Sequence, residues 1–345
     1  MISNLLRTNI RNLKPYSSAR DEFMGEGCTF LDANESPTQL EGLPNGINRY
    51  PASLQSQIVK EVSRIKNVEE SQIFIGNGSD EAIDLLIRCF CEPGKDSILI
   101  FPPTYGMYSV CAAINDIKIV ECRLNSNFGI DIDSFQKISE IPSITFICNP
   151  NNPTGNTQSK EVIRQIIEMS KGIVIVDEAY IDFCSEKSVL HLINQYPNLV
   201  VCQTLSKAWG LAGARIGLAF ACNEIIQVLN KVKFPYNIGK PSAELALKAL
   251  RMESEMRSRV ATIVAERVRV ASELSKIKGV EKVYPSEANF LLVKVENANR
   301  TYAELITKGI VVRNRTNEFG CDNCLRITIG TKEENDSLIA VLKSL

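Results

Sequence analysis

Seven short apolar runs, SQIFIG (71–76), DSILIF (96–101), IKIVEC (117–122), ITFICN (144–149), GIVIVDE (172–178), LVVCQTL (199–205) and RIGLAF (215–220), are spaced along this chain with helix-patterned segments between several of them. Short strands alternating with helices specify an α/β unit around a mostly parallel sheet. The segment after the first run, GSDEAIDLLIRCFC (78–91), reads as a helix with Ser79 at its N-cap. This pattern fills residues 45–235, the size of one large domain.

Beyond it, residues 240–274 read as one long helical stretch whose charges alternate in sign at helical spacing, as on a solvated face. VEKVYPSEANFLLVKV, GIVVRNR and CLRITIG then supply short strands separated by helices. Residues 236–345, with residues 1–44 as an N-terminal arm, are expected to form a smaller α+β domain. With 345 residues, 44% of them hydrophobic, the chain can bury a sizeable core.

A net charge of -1 gives no general field for nucleic acid or an anionic membrane, so any anion site must be local. Eleven cysteines stand mostly singly, as at Cys28, Cys89, Cys91, Cys148 and Cys202, which reads as reduced core thiols. Cys321 and Cys324 form a C-x-x-C, but there is no second pair and the only histidine, His191, is distant in sequence. No metal site is expected. The N-terminal MISNLLRTNIRNLKPY lacks the apolar core of a signal peptide, and no apolar run approaches a membrane span. A cytoplasmic protein is the expectation.

Parallel sheets place ligands beyond the carboxyl ends of their strands, so the chemistry is sought just after each apolar run. After IFIG comes NGSDEA, a glycine turn into a helix whose amides at Gly78, Ser79 and Asp80 can hold an anion. After ITFIC comes NPNNPTG (149–155), where two prolines fix the turn and leave asparagines such as Asn152 projecting. After GIVIV comes DEAY, with Asp177 and Tyr180; after LVVCQTL comes Ser206-Lys207, and Arg215 opens the next run. Between Lys207 and Arg215 lie only small or apolar residues, an unusual setting for a strongly hydrated ammonium. Each feature alone is an ordinary cap, turn or surface residue. Together they specify a ligand with a phosphate and a nitrogen heterocycle that forms a Schiff base with lysine. The phosphate takes the helix amides, Ser206 and Arg215; Asp177 keeps the ring nitrogen protonated; Asn152 and Tyr180 reach a ring oxygen; Lys207 carries the aldehyde carbon. The cofactor so described is pyridoxal 5'-phosphate.

These motifs resemble the fold-type-I pyridoxal-phosphate aminotransferases, and within them the histidinol-phosphate aminotransferases. RNLKPY (11–16), LDANESP (31–37), NRYP (48–51), FPPTYGMY (101–108), VVRNR (311–315) and LRITIGTKEEN (325–335) extend the likeness nearly end to end. The resemblance implies a PLP-transferase fold with a large, mostly parallel domain and a smaller α+β domain. It places the Tyr105 ring on the pyridine face and gives a substrate-anion contact to Arg326. It sends Tyr50 to the cofactor phosphate of a neighbouring subunit, hence a homodimer with shared sites. Tyr16, Asn34 and Arg313 are implied at the substrate, with Tyr16 and Arg313 facing the phosphate of the amino donor. Trp209 is read as packing, and the segment between Arg315 and Cys321 matches the family poorly.

The implied reaction moves the amino group of L-histidinol phosphate to 2-oxoglutarate, giving imidazole-acetol phosphate and L-glutamate in histidine biosynthesis. Aromatic-amino-acid aminotransferases and phosphothreonine decarboxylases share most of the cofactor motifs and stand as alternatives. A regulator that uses the glycine turn to bind a phosphate ligand is the alternative of another class. Against it, the chain has no G-x-G-x-x-G or P-loop lysine, and a regulator has no need of Lys207 beside Asp177.

Overall fold

The computed structural model describes residues 2–16, 29–51 and 54–345; Cys28 lies outside them. Its seven-stranded sheet has the order β1-β7-β6-β5-β4-β2-β3, formed by β1 (Ile73–Asn77), β2 (Ser97–Ile100), β3 (Lys118–Glu121), β4 (Ile144–Cys148), β5 (Ile173–Asp177), β6 (Leu199–Thr204) and β7 (Ile216–Ala221). All neighbours are parallel except that β7 runs against both β6 and β1. The reversal matters for chemistry: β7 begins at the edge where the other strands end, so the whole β6–β7 connection lies at the carboxyl edge.

The central strands are buried along their full length, as a sheet covered on both faces requires. Side chains alternate between two cores: Val174 and Val176 of β5 enter one, and Ile173 and Ile175 the other. The first core is closed by helices that include α2 (Leu54–Lys66), through Ile58 and Val62. The second is closed by α3 (Ser79–Phe90) and α4 (Met107–Ile114), which follow the short α1 (Thr8–Asn12), and by later helices. Further along come α5 (Ile132–Gln136), α6 (Lys160–Met169) and α7 (Asn223–Val232).

Two local expectations are corrected. Ser79 is the first residue of α3 rather than its cap; Gly78 caps it at φ 78 with no side-chain hydrogen bond. A side chain at 78 would meet the Arg215 guanidinium, which explains the glycine and leaves the first-turn amides without a side-chain cap. The stretch 240–274 is two helices, α8 (Lys240–Leu250) and α9 (Glu253–Leu274), broken at Met252, whose ψ of 33 leaves the helical region. On α9, Arg257 pairs with Glu253 and Arg259 with Glu255 one turn apart, as a solvated face should.

A second, antiparallel sheet has the order β10-β11-β9-β8, from β8 (Val280–Val283), β9 (Phe290–Val295), β10 (Arg313–Asn314) and β11 (Cys324–Thr328). Of GIVVRNR, only Arg313 and Asn314 are strand. α10 (Ala298–Thr307) and α11 (Lys332–Ser344) pack on this sheet with α9, and α11 starts with a Thr331–Glu334 capping box. The architecture is α/β, with a large, mostly parallel sheet and a smaller antiparallel one.

Candidate active site

A cleft at the carboxyl edge of the large sheet is lined by Ser79, Asp80, Tyr105, Asn152, Asp177, Tyr180, Ser206, Lys207 and Arg215, brought from five different segments of chain. Gly78 adjoins it through a backbone hydrogen bond from its N–H to the Arg215 carbonyl at 2.9 Å. Gly217 is equally constrained, since a Cβ there would collide with the Gly78–Ser79 backbone, the approach that sets α3 against β7.

At one end of the cleft the uncapped start of α3, the Ser206 hydroxyl and the Arg215 guanidinium form an anion-binding set. Arg215 holds φ 54, the left-handed region that turns its side chain back over the α3 start. Its partner here is Asp80, at 3.3 Å, whose other oxygen accepts from the Tyr105 hydroxyl at 3.1 Å. Ser206 is tied to Thr204, whose Oγ1 lies 3.0 Å from Ser206 Oγ and accepts from Ser206 N at 3.1 Å.

At the other end Asp177 is buried, and burial raises its carboxyl to about 6 against opposing hydrogen bonds from Tyr108 and the Ala179 amide. Among the described residues no lysine or arginine pairs with it, so its charge awaits a cationic or N–H partner from the cleft. Lys207 projects between these ends, its Nζ 5.5 Å from the centre of the Tyr180 ring. Lys207 keeps contact with solvent, but partial desolvation by the cleft walls lowers its pKa, and the Arg326 charge adds to the effect while Asp177 opposes it. An ammonium so placed loses its proton more readily, which raises the share of free amine available as nucleophile and base.

The NPNNPTG turn departs from the expectation of freely projecting asparagines. Asn149 accepts from the Gln158 amide at 2.8 Å, and Asn151 donates to the Pro103 carbonyl at 2.8 Å and to Thr154 Oγ1 at 2.7 Å. These two hold the turn. Only Asn152 reaches the cleft, where its Oδ1 accepts from Arg326 and its Nδ2 lies 3.5 Å from the Tyr180 hydroxyl. Asn152 thereby links the large sheet's cleft to β11 of the small sheet.

Arg326 is thus adjacent to the cleft, and Arg313 is its cross-strand partner on β10, exposed. Tyr50, Tyr16 and Asn34 do not line it: Tyr50 stacks on Tyr236 at 4.6 Å, Tyr16 is exposed, and Asn34 is exposed at φ 53. Trp209 is buried and donates to Asp182 at 3.1 Å, away from the cleft lining. Sequence reasoning missed Thr204 and Cys148 in the lining, and Tyr108 behind Asp177. The three-residue spacing of Tyr105 and Tyr108 was a signal that both face one side of a helix start.

An anion cradle, a lone buried carboxylate and a lysine between them in one cleft are the complement of pyridoxal phosphate's phosphate, ring nitrogen and aldehyde, so the residues present fit that group.

The description of the class I and II aminotransferases matches residues 38–342. The chain belongs to that family. It is 49% identical, over 100% of its own length and 99% of the relative's, to a histidinol-phosphate aminotransferase of Flavobacterium psychrophilum, and equally to one of Parabacteroides distasonis over the same shares. Among solved structures, the histidinol-phosphate aminotransferase of Clostridium acetobutylicum superposes with a TM-score of 0.80 at 27% identity, covering 86% of this chain and 90% of that one. Pyridoxal phosphate is the cofactor of the family. No described helix of this aminotransferase is long and apolar enough to cross a membrane.

Proposed function

We propose that the chain is a pyridoxal-phosphate-dependent histidinol-phosphate aminotransferase that passes the amino group of L-histidinol phosphate to 2-oxoglutarate. The observation that carries this reading is that Lys207 and the buried Asp177 line one cleft, in a chain 49% identical over its full length to enzymes of that name. The chemistry supplied by the bound cofactor is an aldehyde that captures the substrate amine and a ring that accepts electrons from the substrate's Cα.

The chain's own residues do the rest. The α3 amides, Ser206 and Arg215, which here pairs with Asp80, would hold the cofactor's phosphate. Tyr105 covers one face of the ring, and Asn152 and Tyr180 hold its oxygen. Asp177 holds a proton on the ring nitrogen. The Lys207 amine would take the proton from the substrate's Cα at Nζ. Arg326, fixed by Asn152, holds a substrate anion, and Arg313 extends the cationic surface beside it. Tyr16 and Asn34 complete the amino-donor site. These roles belong to residues 45–235 for the cofactor, and to residues 236–345 with the 1–44 arm for the substrate. Decarboxylation of phosphothreonine and aromatic transamination are not favoured, since relatives across the whole chain carry the histidinol-phosphate name.

A homodimer follows from the same reading. Tyr50 is half exposed and absent from its own chain's cleft, and Leu31, Leu40 and Phe234 are each more than three-quarters exposed. Gly210, Ala212 and Gly213, in the connection that carries Lys207, are exposed too. A second copy covers such surface and brings its Tyr50 to the cofactor phosphate.

Borohydride treatment of the cofactor-loaded protein, followed by peptide mass analysis, tests the assignment. The cofactor's mass is expected on Lys207, and its appearance on another lysine would reject the site. Half-reactions with histidinol phosphate, histidinol and aromatic amino acids test the substrate, and equal rates with all three would reject it.

A further inference from the structure

Behind the cleft, Tyr108 of α4 points its hydroxyl at Asp177 Oδ2, 2.7 Å away, while Asp177 Oδ1 accepts from the Ala179 amide at 3.1 Å. A carboxylate offers about four acceptor sites, so two donors fix its plane and leave the remainder toward the cleft it lines. We infer that Tyr108 is a positioning residue for the reaction: it orients the Asp177 carboxylate toward the cofactor's ring nitrogen and stabilises its charge there.

The surroundings support the assignment. Tyr108 is fully buried and does not line the cleft, so its hydroxyl touches no bound group and reaches the site through Asp177. Its ring stacks on Phe146 of β4 at 4.5 Å and meets the edge of Tyr105 at 5.5 Å, which leaves the hydroxyl no freedom to swing away. Burying a phenol hydroxyl is unfavourable unless its donor is used, and the acceptor it finds is the site's one deeply buried acid in the cleft lining. Burial pushes the Tyr108 hydroxyl's own pKa well up, so it stays a donor. The other titratable groups facing Asp177 divide in sign: Lys207 favours its charge and Asp80 opposes it. Cys148 and Cys202 are held as neutral thiols by burial. Neither thiol replaces the hydroxyl's contribution.

The test titrates the Asp177 carboxyl in the cofactor-free protein by infrared difference spectroscopy, with Asp177→Asn identifying the band. Tyr108→Phe is expected to raise the midpoint by about one to two pH units, the effect of removing a hydrogen bond to a charged group. Fluorotyrosine at position 108 keeps the ring and strengthens the donor, so it should lower the midpoint. In the loaded enzyme, Tyr108→Phe should reduce kcat while KM for the amino donor stays within about twofold. Unmoved midpoints overturn the inference, and if Tyr108→Phe fails to fold, an unmoved midpoint in the fluorotyrosine protein does so alone. The inference rests on the cofactor assignment above, and the two can fail separately. An Asp177→Asn protein with a normal single-turnover rate would remove the role of the ring nitrogen, whatever the Tyr108 titration shows.

Discussion

Arg313 and Arg326 stand directly opposite one another across the antiparallel pair of β10 and β11. Directly opposed residues share a face of the sheet, so two guanidinium groups are neighbours, an arrangement that is unfavourable without an anion. The charge of Arg313 is among the causes that lower the pKa of Arg326, after burial and the charge of Arg315. An anion bridging the pair relieves that repulsion. In the proposed reaction a phosphate monoester enters in one half and a dicarboxylate in the other, and a paired cationic surface would serve both.

The exposed member of the pair is the better discriminator. Arg313→Gln removes a charge-assisted hydrogen bond of ~1.5 to 3 kcal/mol, so kcat/KM for histidinol phosphate should fall roughly 10- to 150-fold. Comparison of histidinol phosphate with unphosphorylated histidinol, each in the amino-donor half-reaction, checks it. The variant should lose most of its preference for the phosphorylated donor, and an undiminished preference would remove Arg313 from the phosphate site.

Lys207→Ala separates binding from chemistry. The phosphate contacts proposed for Gly78 to Asp80, Ser206 and Arg215 are untouched, so cofactor should still be retained on gel filtration. Turnover should drop by several orders of magnitude, because the same amine is nucleophile and base. Borohydride should no longer fix cofactor to the protein. Near-normal turnover would place the catalytic base elsewhere.

Which parts of this site were legible follows from how local each signal is. The strand ends announced Asp177 and the Ser206-Lys207 pair because a buried parallel strand is a continuous apolar run, and the polar residues that close it have to sit at the carboxyl edge. The reversal of β7 was not legible, yet it alone puts Arg215 at that edge before its strand. Ser79 looked like a cap because serine usually is one; what decides against it is the Arg215 guanidinium packed over Gly78, a contact 137 positions away in sequence. The break at Met252 leaves no glycine or proline to mark it. Tyr108 was invisible as a partner of Asp177 for a similar reason, being 69 positions from it.

Glu178 provides a pH signature. It is buried beside Asp177 and accepts from the Val189 amide at 2.7 Å, and from Ser188 Oγ and Gln203 Nε2 at 2.8 Å each. Burial still wins, pushing its carboxyl up to about 7. A raised folded-state pKa means the native protein binds this proton more tightly than the unfolded chain. The contribution is complete below the ordinary glutamate range and is lost as pH rises through about 7. Between pH 5 and 8, urea unfolding of the cofactor-free protein should show wild type losing about 2.5 kcal/mol relative to Glu178→Gln. Parallel pH profiles for the two proteins would mean that Glu178 ionises as an ordinary carboxylate.

Sharing of sites between subunits can be read by complementation. In its own chain Tyr50 stacks on Tyr236 and stays outside the cleft lining, and the reading proposed above gives it to the partner's site. Mixing Tyr50→Phe subunits with Lys207→Ala subunits should then form hybrid dimers with two unlike sites. One site combines the lysine of the first subunit with the tyrosine of the second and carries neither lesion; the other carries both. Provided Tyr50→Phe alone is impaired, activity should rise on mixing above that of either parent, toward one intact site per hybrid. Native mass spectrometry counts the hybrids, so the rise can be normalised to them. Hybrids present without any rise would put Tyr50 in its own subunit's site or outside both, because only a tyrosine donated across the interface separates the two lesions in this way.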